Sequence, residues 1–301
     1  MRINVCLASD NNYSKYLAVT MASILKNANI DDELFFYILD GGIEEANKTK
    51  ILELNKIKKC SISFVSPNTS NLQDFAIQTN YISVATYYRL QIASLLPKDI
   101  DKVIYLDCDI LVLKSLKELF SEDIDNYFAG ASEDVWEYNL HNMFFINAGV
   151  LLINLKLWRQ EQIEPKLIDY AIKNKVNDQI VINYVLKGKI KPLDLKYNLQ
   201  NSAYLYVYTH RFKYDNETAL LKSLDDVCII HYIGQLKPWK SITFLGDRYL
   251  KYTNLVPFKD IISLKNRIKF FFGPLWMLRK NIKYQTKYFI KKTFNRFFRS
   301  K

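Results

Sequence analysis

Residues 104–112 read IYLDCDILV, which sets two aspartates, Asp107 and Asp109, inside a run otherwise apolar enough to be buried. Taking an ionised carboxylate out of water without a partner costs more than a marginally stable fold can spare, so the rest of the chain must supply neutralisation. In extended backbone residues i and i+2 point to the same side, which lets both carboxylates face one point. A hard divalent cation at that point is one solution. The other is two short strands broken by a turn at Asp-Cys-Asp, with both acids in water, since aspartate favours turns. The triplet alone leaves both open. Cys108 is turned the other way by the alternation, which argues against a metal-ligand role for it.

The surrounding pattern is that of an α/β chain. Residues 3–7 form a short apolar run rich in β-branched side chains and read as a buried strand, followed by the polar stretch ASDNNY and by helical spacing over 16–25. A strand over 34–39 ends at Asp40, Gly41 and Gly42; a helix over 43–57 and a strand over 61–65 follow. Strand, loop, helix, strand, helix, strand predicts a mainly parallel sheet. Further along, a helix over 84–96 is stopped by Pro97 and carries Arg89, and strands are expected over 103–106, 110–113, 127–131 and 147–154. Helices are expected over 164–173 and 177–186, the second with Asp178 and Gln179 at its start. In such sheets ligands collect at the carboxyl ends of the strands, which is where ASDNNY and Asp-Cys-Asp both lie.

The N-terminal run meets an acid at residue 10, which fits neither a signal peptide nor a membrane span, so a cytoplasmic protein is expected. Cys6, Cys60, Cys108 and Cys228 show no C-x-x-C spacing and read as reduced core thiols. The net charge of +11 is unevenly placed: residues 265–301 hold 12 of the 42 Lys and Arg and no acid, which leaves 30 basic against 31 acidic residues before them. Ten of those last 37 residues are Phe, Tyr or Trp. The shift predicts a main domain over 1–260 and a basic, aromatic tail over 261–301.

Six segments, VCLASDNNY, ATYYRL, YLDCDILV, NAGVLLINLKLWR, NDQIVIN and HYIGQLKPW, occur in the order found in glycosyltransferase family 8. Over about residues 1–255 the chain resembles the bacterial lipooligosaccharide galactosyltransferase branch of that family. The resemblance implies a GT-A fold, a UDP-sugar donor, retention of anomeric configuration and a divalent metal, Mn²⁺ with Mg²⁺ as the alternative. By position, Asp107, Asp109 and His231 would hold the metal. Ala8, Asp10, Asn12 and Tyr13 would meet the nucleoside, with Cys108 in the same donor-binding segment. Gly234 and Lys237 would meet the diphosphate, and Arg89, Asp134, Asn147, Ala148, Gly149, Asp178 and Gln179 the sugar, with Glu133 as the alternative to Asp134. The residue types suit these tasks: two carboxylates and an imidazole suit Mn²⁺, and an aspartate can accept from uracil N3–H.

Gln179 and Asp178 fall where a catalytic group is expected. An amide is a poor nucleophile, so same-face substitution is expected rather than two inversions through a carboxylate. Tyr81, Ile233 and Gln235 depart from the family pattern at positions that face its acceptor, so the acceptor is expected to differ. Galactose or glucose transfer to a glycan or glycolipid of lipopolysaccharide or capsule type follows. Two other readings stay open: glycogenin-like self-glucosylation and a membrane-docked sugar-nucleotide binder without turnover.

The tail is too charged to span a bilayer, but cations among aromatic rings suit an anionic membrane surface, here the cytoplasmic face of the inner membrane. Basic aromatic segments also bind nucleic acid, against which the near-neutral main body counts. Deleting residues 265–301 should therefore move the protein from the membrane to the soluble fraction and abolish flotation with anionic liposomes. Unchanged membrane association, or a salt-dependent gel shift in place of flotation, would overturn this assignment.

Overall fold

The computed structural model describes residues 1–67, 84–141, 144–201, 214, 217–241, 243, 245–263 and 266. Tyr81 and the tail beyond residue 266 lie outside the described residues. Ten strands are described: β1 Arg2–Ser9, β2 Glu33–Asp40, β3 Cys60–Val65, β4 Lys102–Leu106, β5 Ile110–Val112, β6 Ala129–Ser132, β7 Val150–Asn154, β8 Ile190–Leu193, β9 Leu199–Gln200 and β10 Ile229–His231. Seven of them form one sheet in the order β3-β2-β1-β4-β7-β6-β8, and β5-β10-β9 form a smaller one. In the large sheet every neighbouring pair is parallel except those made by β7, which runs antiparallel to β4 and β6. The expected mainly parallel α/β sheet is thus present, with one reversed strand.

Both faces of the large sheet are covered, which explains why its central strands read as continuous apolar runs. Alternate residues of the same strands enter different cores: Val5, Leu7, Ile104 and Leu152 pack on one side, Cys6, Tyr105, Leu151 and Ile153 on the other. The chain leaves the large sheet after Leu106 and enters the small one at Ile110, so Asp-Cys-Asp is the turn between sheets. The turn reading of this triplet is therefore correct for the backbone. It is not correct for the side chains, since the carboxylates of Asp107 and Asp109 are only 24% and 15% exposed.

The first helix, Ser14–Asn27, fixes that turn. One edge of β5 pairs with β10. A polar stripe on the helix meets β5 and the turn before it: Thr20 Oγ1 donates to the carbonyls of Cys108 and Ile110, and Asn27 Nδ2 donates to that of Val112. Ser23 Oγ accepts the Val112 N–H at 3.0 Å. Residues three and four apart share one helix face, so an otherwise buried helix can carry these three groups in line.

Several boundaries differ from expectation. The helix expected over 43–57 is an α-helix over Glu45–Leu52 that tightens to 3₁₀ over Glu53–Lys56, and the helix carrying Arg89 is mostly 3₁₀, Val84–Gln91, with α only at Ile92–Leu95. The strand expected over 147–154 begins at Val150, because Asn147 turns its amide inward to Asp134 and to the Gly149 N–H. Among the described residues no helix is long and apolar enough to cross a membrane.

Ser23→Ala should lower stability by about 1–3 kcal/mol, because it leaves the buried Val112 N–H without an acceptor. Urea unfolding measures this, and an unchanged midpoint would show that the β5 edge does not depend on the helix.

Candidate active site

The crevice opens where strand order reverses, between β1 and β4. Its lining comes from the end of β1 (Ala8, Ser9, Asp10, Tyr13), the 3₁₀ segment (Ala85, Thr86, Arg89) and the end of β4 (Tyr105, Asp107, Cys108, Asp109). The expected convergence of ASDNNY and Asp-Cys-Asp is therefore present. Asp10 also does a local task, accepting the Tyr13 N–H at 2.9 Å and so fixing the loop that precedes the first helix. Asn12 is exposed and is not among the lining residues. The Cys108 thiol donates to the Ala8 carbonyl, and burial, with Asp107 and Asp109 nearby, holds it well above the usual thiol range. It stays protonated, as expected of a core thiol.

His231 ends β10 and reaches the two acids because β10 pairs with β5 in a register that sets it opposite Ile110. One ligand atom from each of Asp107, Asp109 and His231 lies within 4.8 Å of the others. His231 Nε2 is 3.1 Å from Asp109 Oδ1 and 3.8 Å from Asp107 Oδ2. The other oxygen of each acid is already paired. Asp107 Oδ1 accepts from Arg89 Nη2 at 2.7 Å and from the Tyr105 hydroxyl at 3.0 Å, and Asp109 Oδ2 is paired with Lys237. Burial alone would raise the Asp109 carboxyl, but Lys237 and His231 outweigh it and hold it well below the usual range. Asp109 Oδ1 is buried with no hydrogen-bond partner. An orphaned carboxylate oxygen facing a second carboxylate oxygen and an imidazole nitrogen is a donor set that a divalent cation fits.

Arg89 is 2% exposed, and the carboxylates its burial demands are present. It bridges Asp107 and Asp178, the second at 3.0 Å, donates to the Ala148 carbonyl at 2.7 Å, and lies over the Tyr105 ring. Its burial would lower its pKa, but Asp107 and Asp178 raise it further still. At Asp178 the balance falls the other way: burial raises its carboxyl more than Arg89 lowers it. The shared guanidinium lies closer to Asp107, at 2.7 Å, than to Asp178.

Asp134 accepts from Asn147 Nδ2 at 3.0 Å and from Gln179 Nε2 at 3.3 Å, whereas Glu133 accepts from the Tyr214 hydroxyl at 2.6 Å. Of the two alternatives, Asp134 is the one joined to the other expected sugar-facing residues. Gln179 Oε1 in turn accepts the Ala148 N–H at 3.2 Å. Gly234 has φ +65°, where an L side chain is strained, and the space around it is open. Lys237 is buried, bound to Asp109 and to the Tyr232 carbonyl.

Gly149 has a role that residue type alone did not reveal. A Cβ at this position would overlap the His231 ring and stand 2.9 Å from Asp107 Oδ2. Asn198 went unnoticed in the sequence altogether: its Oδ1 lies 3.1 Å from His231 Nδ1. The segment KYNLQN around it has no spacing that announces such a contact, which is made across the small sheet.

Comparison with known proteins decides the family. The profile described as Glycosyl transferase family 8 matches residues 4–243. The chain belongs to glycosyltransferase family 8. Within this family it is 28% identical to general stress protein A of Bacillus subtilis over 86% of this chain and 96% of that protein. It is 27% identical to a lipopolysaccharide 1,3-galactosyltransferase of Salmonella typhimurium over 80% of this chain and 74% of that protein. The fold is similar to that of the galactosyltransferase LgtC, solved in complex with donor and acceptor sugar analogues, with a TM-score of 0.73 and 28% identity. That similarity covers 89% of this chain and 100% of LgtC. The large, mostly parallel sheet is thus that of a GT-A-like fold.

Gly149→Ala should weaken Mn²⁺ binding by about tenfold or more, through displacement of His231, while the fold is kept. Titration followed by electron paramagnetic resonance, with circular dichroism as the control, tests this. Unchanged affinity would remove His231 from the ligand set.

Proposed function

We propose that this family 8 enzyme moves galactose or glucose from a UDP-sugar to a hydroxyl of a bacterial surface glycan of lipopolysaccharide type, with retention of configuration. The observation that carries the proposal is the division of labour at the two aspartates. Each has one oxygen on a buried cation and the other turned toward His231 Nε2. Asp107, Asp109 and His231 would hold the metal, Mn²⁺ or Mg²⁺, which when bound supplies a Lewis acid for the charge that grows on departing UDP. The lipopolysaccharide galactosyltransferase relative supports the acceptor class.

The chain's own residues would orient the donor. Tyr13 and Asp10 lie in the crevice lining on the β1 side, suited to base and ribose, and Arg89 lies opposite among the expected sugar-facing groups. Asp178 is buried and engaged by Arg89 at 3.0 Å, which leaves its carboxylate paired and not free to attack. Gln179 is held at both ends of its amide, by Ala148 and Asp134. Both features favour same-face substitution, with the acceptor hydroxyl deprotonated by the leaving phosphate. The basic tail, beginning near residue 261, would hold the enzyme at the cytoplasmic face of the inner membrane, close to a lipid-linked acceptor.

A panel of UDP-sugars assayed for UDP release with and without Mn²⁺ tests the proposal. Asp107→Asn should lower turnover by about 100-fold or more, since Lewis-acid assistance is worth several kcal/mol and each 1.36 kcal/mol is tenfold. It is a cleaner variant than Asp109→Asn, which leaves buried Lys237 without its carboxylate and so costs stability as well. Turnover unaffected by chelation would sink the metal assignment, and a glycosyl adduct on Asp178 in intact-mass spectra would sink same-face substitution.

A further inference from the structure

His231 can act as a metal ligand through Nε2 only if its ring proton is on Nδ1, and in the structure that choice is made by residues some distance away. Asn147 is the fixed point. Its Oδ1 accepts the Gly149 backbone N–H at 3.1 Å, a group that can only donate. Its Nδ2 donates at 3.0 Å to Asp134 Oδ2, a carboxylate oxygen that also receives Gln179 Nε2. The other oxygen of Asp134 accepts the backbone N–H groups of Trp136 and Glu137, both at 3.1 Å. A donor-only group at one end and an acceptor at the other forbid a flip of the Asn147 amide.

The orientation then passes on. Asn198 Nδ2 lies 3.0 Å from Asn147 Oδ1 and 3.4 Å from the Asn147 carbonyl, two acceptors, so this end of the Asn198 amide must be the donor. Its Oδ1 is thereby turned to His231 Nδ1 at 3.1 Å, and an amide oxygen can only accept. Nδ1 must carry the proton. Nε2 is the nitrogen left to face Asp109 Oδ1 and Asp107 Oδ2. Asp134, Asn147, Asn198 and His231 are each no more than 5% exposed, so water does not offer competing partners.

We infer that Asn147 and Asn198 form an amide relay, anchored on Asp134, that fixes His231 in the Nδ1–H tautomer and presents its Nε2 lone pair to the cation. Asn198 is in these terms a positioning residue, not a catalytic one. The same Asp134 oxygen receives Gln179, so one carboxylate orients both the imidazole at the metal side and the amide at the sugar side. The inference rests on the reading of His231 as a metal ligand, but the proton on Nδ1 does not require a metal to be present.

The chain has three histidines, so long-range ¹⁵N–¹H correlation of the histidine rings in metal-free protein can be assigned with His231→Gln as reference. The wild-type ring should show a protonated Nδ1; a ring protonated at Nε2 alone would overturn the relay directly. Asn198→Leu, similar in size, should mix the tautomers and weaken Mn²⁺ binding by about 10–100-fold. If leucine behaves like asparagine, the side chain only fills space and the relay is wrong. Should Asn198→Leu fail to fold, the wild-type spectrum still decides. The expected tautomer without any Mn²⁺ binding would reject the metal reading while the relay stands.

Discussion

Three carboxylates, Asp107, Asp109 and Asp178, are held by two buried cations beside the crevice, and the site depends on how their charge is shared. Arg89 takes one oxygen of Asp107 and one of Asp178; Lys237 takes one of Asp109. An uncompensated buried ion costs several kcal/mol, a large part of the 5–15 kcal/mol that holds a typical domain together. Pairing Asp107 and Asp109 each through one oxygen only keeps this cost within bounds and leaves their opposite oxygens turned toward His231. Fuller pairing would have made a sturdier knot and a worse ligand set.

Much of this was legible in the residues. Two acids in IYLDCDILV demanded neutralisation, a guanidinium in an apolar segment demanded carboxylates, and the structure lets Arg89 and Asp107 meet each other's demand. The strand-helix alternation gave the parallel sheet because apolar period and flanking turn residues are local signals. What was not legible depends on long-range register. His231 reaches the acids only through the β5 and β10 pairing, Gly149 matters for the volume a methyl would take from His231, and Asn198 acts across strands. No spacing along the chain encodes such contacts. The 3₁₀ form of the Arg89 segment was missed for a related reason, since periodicity over so short a run does not separate it from an α-helix.

The HYIGQLKPW segment shows how anchoring and variation divide within one loop. His231 and Tyr232 are buried at one end; Lys237 and Trp239 are buried at the other, the indole stacked on Tyr16 with ring centroids 3.9 Å apart. Between them Gly234, Gln235 and Leu236 are exposed. The ends are tied to Asp109 and to the first helix, so the exposed middle can change residue type without moving His231 or Lys237. Gln235, one of the departures from the family pattern, lies in that middle.

Among the described strands of the large sheet, only β7 runs against its neighbours. In a sheet whose strands all point one way, a crevice at the carboxyl ends can recruit only residues that follow a strand. Reversing one member brings the chain into the crevice before the strand starts, so Asn147, Ala148 and Gly149 arrive as an incoming segment and are pinned at once by the first residues of β7. A backbone contact between Asp107 N–H and the Gly149 carbonyl, at 2.9 Å, then ties an outgoing end to an incoming one. The consequence is mechanical: the two sides of the crevice floor are stitched by the sheet's own hydrogen-bond ladder, and cannot drift apart without unzipping β4 from β7.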